Sequence, residues 1–252
     1  MRHWSIAVAG SAALLVAGCV STRQYADTQF APPAGDFKLL VMRPDVSVGS
    51  VTTGGLTEAR ADWTEAARSN LLAALRAQQS ARGGNVVVLD RRDSLAGVPA
   101  ETIAELERLH GAVGNSIALH KYLGENLPTK RGKGLDWTLG AQAVALGQRT
   151  GMDYALFLHA QDSFASTGRV ALQVLGIAGC FVGFCQPNMG GGSQFAYASL
   201  VNLRTGEVVW FNVLQSRIGD IRTPAGAAEM VERLLGRMKP GREVRRALKA
   251  KA

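Results

Sequence analysis

Between residues 195 and 213 the chain permits few local structures. Phe195, Tyr197, Ser199, Val201 and Leu203 alternate with Ala196, Ala198, Leu200 and Asn202, and a period of two belongs to a strand. Arg204-Thr205-Gly206-Glu207 supplies a turn in which the glycine is free to take positive φ, and Val208 to Val213 returns the chain. A β-hairpin is therefore expected late in the sequence. A hairpin is marginal alone in water, so the preceding residues must supply what covers it.

They do so by alternating strands with helices. Phe37 to Met42 is a short apolar run stopped by Pro44, and residues 46–57, rich in Gly, Thr and Ser, read as a loop. Trp63, Ala67, Asn70, Leu71, Ala74 and Leu75 then fall on one helical face, ended by Gly83-Gly84. Val86 to Leu89 reads as a strand buried on both faces. Helical spacing returns from Pro99 to Leu123, with Ile103, Leu106, His110, Val113 and Ile117 on one stripe, and again from Asp136 to Arg149. Asp153 to His159 is a strand. After the hairpin, Thr223-Pro224 caps a final amphipathic helix whose stripe is Ala227, Met230, Val231, Leu234, Leu235 and Met238. This order predicts an α/β fold: a three-layer sandwich around a single mixed sheet of about five strands, with a late hairpin and a C-terminal amphipathic helix. One domain, residues 37–238, accounts for it.

The amino terminus carries an address. Met1-Arg2-His3-Trp4 precedes an apolar run from Ile6 to Ala17 that is too short to span a bilayer and has the parts of a secretory signal. Leu15-Val16-Ala17-Gly18-Cys19 resembles the lipobox of bacterial lipoproteins. The resemblance implies removal of residues 1–18 as signal peptide and acylation (palmitate among the chains) of Cys19, which anchors the chain in lipid. Val20 in place of an aspartate implies the outer membrane, with the body on the periplasmic side. Residues 19–36, polar and carrying Pro32-Pro33, read as a lipidated tether.

The formal net charge of +8 is concentrated in a tail, since residues 239–252 hold six basic residues and one acidic residue. That leaves the body close to neutral and gives no basic face for nucleic acid. The tail suits contact with anionic lipid or with peptidoglycan carboxylates, or plain solvation.

Catalytic signatures are sparse. The sequence has no G-x-S-x-G, no G-x-x-x-x-G-K-[ST] and no H-E-x-x-H, and nothing in it asks for a cofactor or a metal. His110 and His120 lie about 80° apart around a helix, a poor metal pair. His110 in its apolar stripe reads as a hydrogen-bonded core histidine. The best polar cluster is His159 with Asp162, at the carboxyl end of an expected strand, where α/β ligand sites gather. Met189 to Ser193, "MGGGS", is followed by a strand and so reads as a hinge, not a phosphate loop.

Residues 170–192 form an apolar, Cys- and Gly-rich insertion that is short for a membrane helix and unpatterned for a barrel strand. With Cys19 acylated, Cys180 and Cys185 remain as an even pair in an oxidising compartment. A bridge needs Cα atoms within about 7 Å, which forces a turn through Phe181-Val182-Gly183-Phe184. A helix through both would instead leave two free thiols.

The small α/β body behind a lipobox, ending in "LRTGEVVWFN" and an amphipathic helix, is similar to the periplasmic domains of the curli-secretion-channel lipoprotein and of the Tol-Pal propeller protein. That likeness implies a non-catalytic binding or assembly module of the cell envelope, with an envelope protein as partner. An envelope hydrolase or transferase using His159 and Asp162 is the alternative. A secretion-channel oligomer is the third reading, although residues 170–185 lack the alternation of a barrel hairpin.

Overall fold

The computed structural model describes residues 20–80, 85–172 and 192–239, apart from residues 28, 34, 35, 123, 125, 126 and 237, together with residue 249. The elements run β1 (Val20–Ala26), β2 (Lys38–Val41), β3 (Asp45–Val51), β4 (Thr57–Ala59), α1 (Ala61–Ser80), β5 (Asn85–Val88), α2 (Ala100–Tyr122), α3 (Gly140–Thr150), β6 (Tyr154–Ala165), β7 (Gln194–Asn202), β8 (Val208–Ser216) and α4 (Pro224–Leu235). The expected α/β class, single mixed sheet, hairpin and C-terminal helix are all present.

Among the described residues the sheet has eight strands, not about five. Its order is β1-β8-β7-β6-β2-β5, with β3 pairing both β6 and β4. Pairs β2–β5, β2–β6 and β3–β6 are parallel, and β1–β8, β6–β7, β7–β8 and β3–β4 are antiparallel.

Two differences from the sequence expectation account for the extra strands. The stretch read as a tether begins with β1, which pairs along its own whole length with β8, from Val20↔Ser216 to Ala26↔Trp210. Its polar residues suit an edge strand, and Gln24 accepts from the indole N–H of Trp210 at 3.2 Å. The stretch read as a Gly/Thr/Ser loop supplies β3 and β4. Separately, among the described residues β5 pairs only with β2 and is an edge strand, not a strand buried on both faces.

Strands β2 and β3 lie end to end along the same neighbour. Val41 pairs with Leu156 and Asp45 with His159, so four residues on one side span three on the other. The extra residue falls at Arg43-Pro44, where proline lacks the N–H a ladder needs, and such a bulge reverses which residues face each side. Before it, Leu39 and Val41 belong to one apolar cluster and Leu40 and Met42 to another; after it, Val46 and Val48 take the side of Leu39.

The first cluster joins Leu156, Leu158 and Ala160 to Ala67, Leu71 and Leu75 of α1 and to Met230, Val231, Leu234 and Leu235 of α4. The second joins Ala155 and Phe157 to Ile103, Leu106 and Ile117 of α2 and to Ala143 and Leu146 of α3. The helical stripes read from the sequence are the faces buried here. Among the described residues no helix is long and apolar enough to cross a membrane.

Candidate functional site

His159 and Asp162 both lie on β6, three residues apart. Successive strand side chains point to opposite faces, so an odd separation divides them. His159 packs toward α2, among the rings of the second cluster. Asp162 is on the α1/α4 side. The pair expected as one cluster is two separate sites.

On the α2 side, β3, β6 and β7 bring Asp45, His159 and Tyr197 into register across the sheet. His159 Nδ1 lies 2.8 Å from Asp45 Oδ2. This hydrogen bond, more than the opposing desolvation, holds the Asp45 carboxyl below its ordinary range. The imidazole stacks on Tyr197 at 4.8 Å, and Tyr197 in turn stacks on Phe211 at 5.4 Å. From α2, His110 lies 4.4 Å from the Phe157 ring and 5.8 Å from that of Tyr197. Its Nε2 makes a short hydrogen bond with Ser199 Oγ, and the Tyr197 hydroxyl donates to the Gly111 carbonyl at 3.2 Å.

Ser199 and His110 are thus at nucleophile–base spacing, but the chemistry does not follow. Both are buried beneath α2, and a general base works best with a pKa near the operating pH. Burial, reinforced by the charge of His159, pushes His110 down to about 3. A neutral, enclosed imidazole is a hydrogen-bonded core residue, as its sequence position suggested.

On the other face, Asp162 is 5% exposed. It accepts from Gln194 Nε2 at 3.0 Å and from the Ile221 N–H at 3.5 Å. Burial outweighs these bonds and raises its pKa to about 6. Gln194 and Ile221 begin β7 and precede α4, so the carboxyl ties the start of the hairpin to the loop before the last helix.

Open clefts lie elsewhere. One of about 330 Å³ is lined by Asp27, Lys130, Asp136, Trp137, Thr138 and Glu207. Lys121 and Lys130 sit 5.6 Å and 5.1 Å from the Trp137 ring centroid. Another, of about 540 Å³, lies between β1 and α4 and includes Gln24, Glu229 and Glu232. Neither His159 nor Asp162 lines them. Among the described residues no three His, Cys, Asp or Glu side chains converge as a metal site.

Sequence reading missed Asp45, Tyr197, Ser199 and Gln194 as the partners of these groups. The parity of residue numbers along β6 was the available signal. Cys19, Cys180, Cys185 and all of the basic tail except Lys239 and Lys249 lie outside the described residues.

No family model matches the chain, and no curated protein matches it. Among solved structures, the PelC dodecamer from Paraburkholderia phytofirmans is 12% identical with a TM-score of 0.38, covering 87% of this chain and 100% of that one. A point variant of that dodecamer is 13% identical with a TM-score of 0.34, at the same coverage. Likeness this low assigns neither fold nor function.

Proposed function

We propose that this chain is an outer-membrane lipoprotein, anchored through acylated Cys19 and facing the periplasm, whose α/β body is a non-catalytic binding or assembly module of the cell envelope. The observation that carries the reading is the lipobox Leu15 to Cys19, placed directly before the first strand of the folded body. Anchoring by more than one acyl chain is stable where a single chain is marginal. The non-catalytic part is supported by the division of His159 from Asp162 and by the burial of His110, Ser199, His159 and Asp162, Asp45 alone of these groups being exposed. An envelope protein is the partner of the body, and the tail touches anionic lipid or peptidoglycan. The body is a three-layer sandwich, a reading supported by the two apolar clusters, one with α1 and α4 and the other with α2 and α3.

The test is expression of the whole gene product in a bacterium with two membranes, followed by membrane separation and mass spectrometry. A mature chain that begins at acylated Cys19 and travels with the outer membrane is expected. A chain starting elsewhere, or recovered as a soluble protein, would overturn the reading. Crosslinking in intact envelopes should then return an envelope protein; hydrolase activity lost on His159→Ala would count against a purely binding role.

A further inference from the structure

The strand registers fix which connections share one end of the sheet. Residue Ala165 ends β6 opposite Val51 of β3, Gln194 opens β7 opposite Asp162, and Ser216 ends β8 opposite both Gln194 and Val20. The β3–β4 turn, the residues after β6, the residues after β8 and the first residue of β1 therefore all leave from the same end. Of the five large apolar side chains that are exposed among the described residues, the three most exposed are here: Leu56 at 75%, Val170 at 45% and Ile218 at 45%.

This clustering has a chemical setting. Residues 52–56, 166–172, 192–193 and 217–223 contain Arg169, Arg217 and Arg222 against one carboxylate, Asp220, which is bonded to Arg222 at 2.8 Å. Arg169 reaches across to the Thr52 carbonyl at 3.3 Å, which joins two of these connections. Residues 173–191, which connect the described chain at 172 and 192, contain no charged residue. Apolar side chains with an excess of cations suit the boundary of an anionic bilayer, where the aliphatic groups enter the acyl region and guanidinium groups meet phosphate.

We propose that this end of the sheet, presenting Leu56, Val170 and Ile218 beside Arg169 and Arg217, rests on the surface of the bilayer that holds Cys19. The inference depends on the reading that Cys19 is acylated. Given that, the occupant follows from where the chain begins. Cys19 is one peptide from Val20, about 3.8 Å between Cα atoms, and Val20 is paired into the sheet at this end. No slack separates the lipid from the body. Neighbouring strands are about 4.8 Å apart, so the loop after β8 lies within about 10 Å of the anchor and the β3–β4 turn within roughly 20 Å. The anchor holds this end at the interface, and its apolar side chains are the ones placed to enter.

Hydroxyl-radical footprinting of the purified acylated protein in phosphatidylethanolamine–phosphatidylglycerol nanodiscs tests this, with mass spectrometry of Cys19 in the same sample. The reference is the mature-length chain with Cys19→Ala in buffer. Oxidation of Leu56, Val170 and Ile218 is expected to fall at least about threefold in nanodiscs, as for side chains lodged in the headgroup boundary. Met152, which precedes β6 at the opposite end, should label equally in both. Unchanged labelling of the three side chains on a chain with acylated Cys19 overturns the surface and leaves the anchor standing. A Cys19 without acyl chains overturns both. Protection found only when copies share a nanodisc would mean that a second copy covers this end, and would also overturn the proposal.

Discussion

His159 and Asp162, separated by two residues of β6, face opposite sides of one sheet and share no partner. His159 is bound to Asp45 at 2.8 Å, whereas Asp162 is bound to Gln194 at 3.0 Å. The two side chains consequently belong to separate hydrogen-bond networks, one on each face of the sheet.

For Asp162, the folded pKa of about 6 stands above the ordinary carboxylate value of 3.8. The folded state therefore binds the proton more tightly, and this group's contribution becomes less favourable as pH rises from about 4 to about 6. The full difference is about 3 kcal/mol. Asp162→Asn, which keeps an acceptor for Gln194 and removes the charge, should raise stability at pH 7.5 by about 1–3 kcal/mol and change it little at pH 4. Denaturant unfolding at both pH values checks this; a variant less stable than the native chain at pH 7.5 would contradict it.

His110 works in the opposite direction. Its folded pKa of about 3 lies below the ordinary 6.5, so the unfolded chain takes up the proton first. Stability is lost as pH falls below about 6.5, at about 1.4 kcal/mol per unit once well into that window. The double variant His110→Phe, Ser199→Ala removes the titrating ring without leaving the Ser199 hydroxyl unpaired. It should lack that acid slope, whereas Asp162→Asn should steepen it, because in the native chain the two groups oppose each other between about pH 4 and 6.

Helix α2 approaches the sheet through Gly114. A Cβ built there would lie 2.8 Å from Cζ of the Tyr197 ring, which is fully buried and stacked on both sides. Alanine is favoured over glycine in a helix by about 1 kcal/mol, but overpacking costs about 1–3 kcal/mol. Gly114→Ala should therefore lower stability. Gly111→Ala, one turn earlier with nothing within 4 Å of its Cβ position, should be neutral or stabilising. Thermal unfolding of the two variants side by side distinguishes packing from propensity.

The last helix depends on its cap. Thr223 accepts from the Gly226 N–H at 3.1 Å and donates to the Asp220 carbonyl at 2.8 Å. Thr223→Ala should cost about 1 kcal/mol, whereas Thr223→Ser should recover most of it. Equal stability of all three chains would show that the cap is dispensable.

The helices were legible because their stripes are long: Leu71, Leu75, Ile103, Leu106, Met230 and Leu234 repeat over several turns, and all are buried. The hairpin was legible because its alternation and turn agree. Strand β3 was not, although Val46, Val48 and Val51 are spaced through polar and small residues. Two glycines, a proline and several hydroxyl residues flank it, and local turn chemistry outweighed a short apolar signal. Strand β1 was hidden for a different reason. Its polar residues are fit for an edge, where the backbone ladder to β8 supplies the order.

Residue order alone determined the element types of the longer segments, the apolar stripes, the lipobox motif and the near-neutral body, since each rests on contacts or spacings local in the chain. Tertiary structure alone decided the partnerships. Asp45 meets His159 only because a bulge at Arg43-Pro44 sets β3 in register with β6. His110 loses its basicity only because α2 closes over it. Leu56, Val170 and Ile218 share one end only because the parallel β3–β6 pair and the antiparallel β6–β7–β8 pairs bring their connections there. Pairing, register and burial join residues far apart in sequence, and no local pattern encodes them.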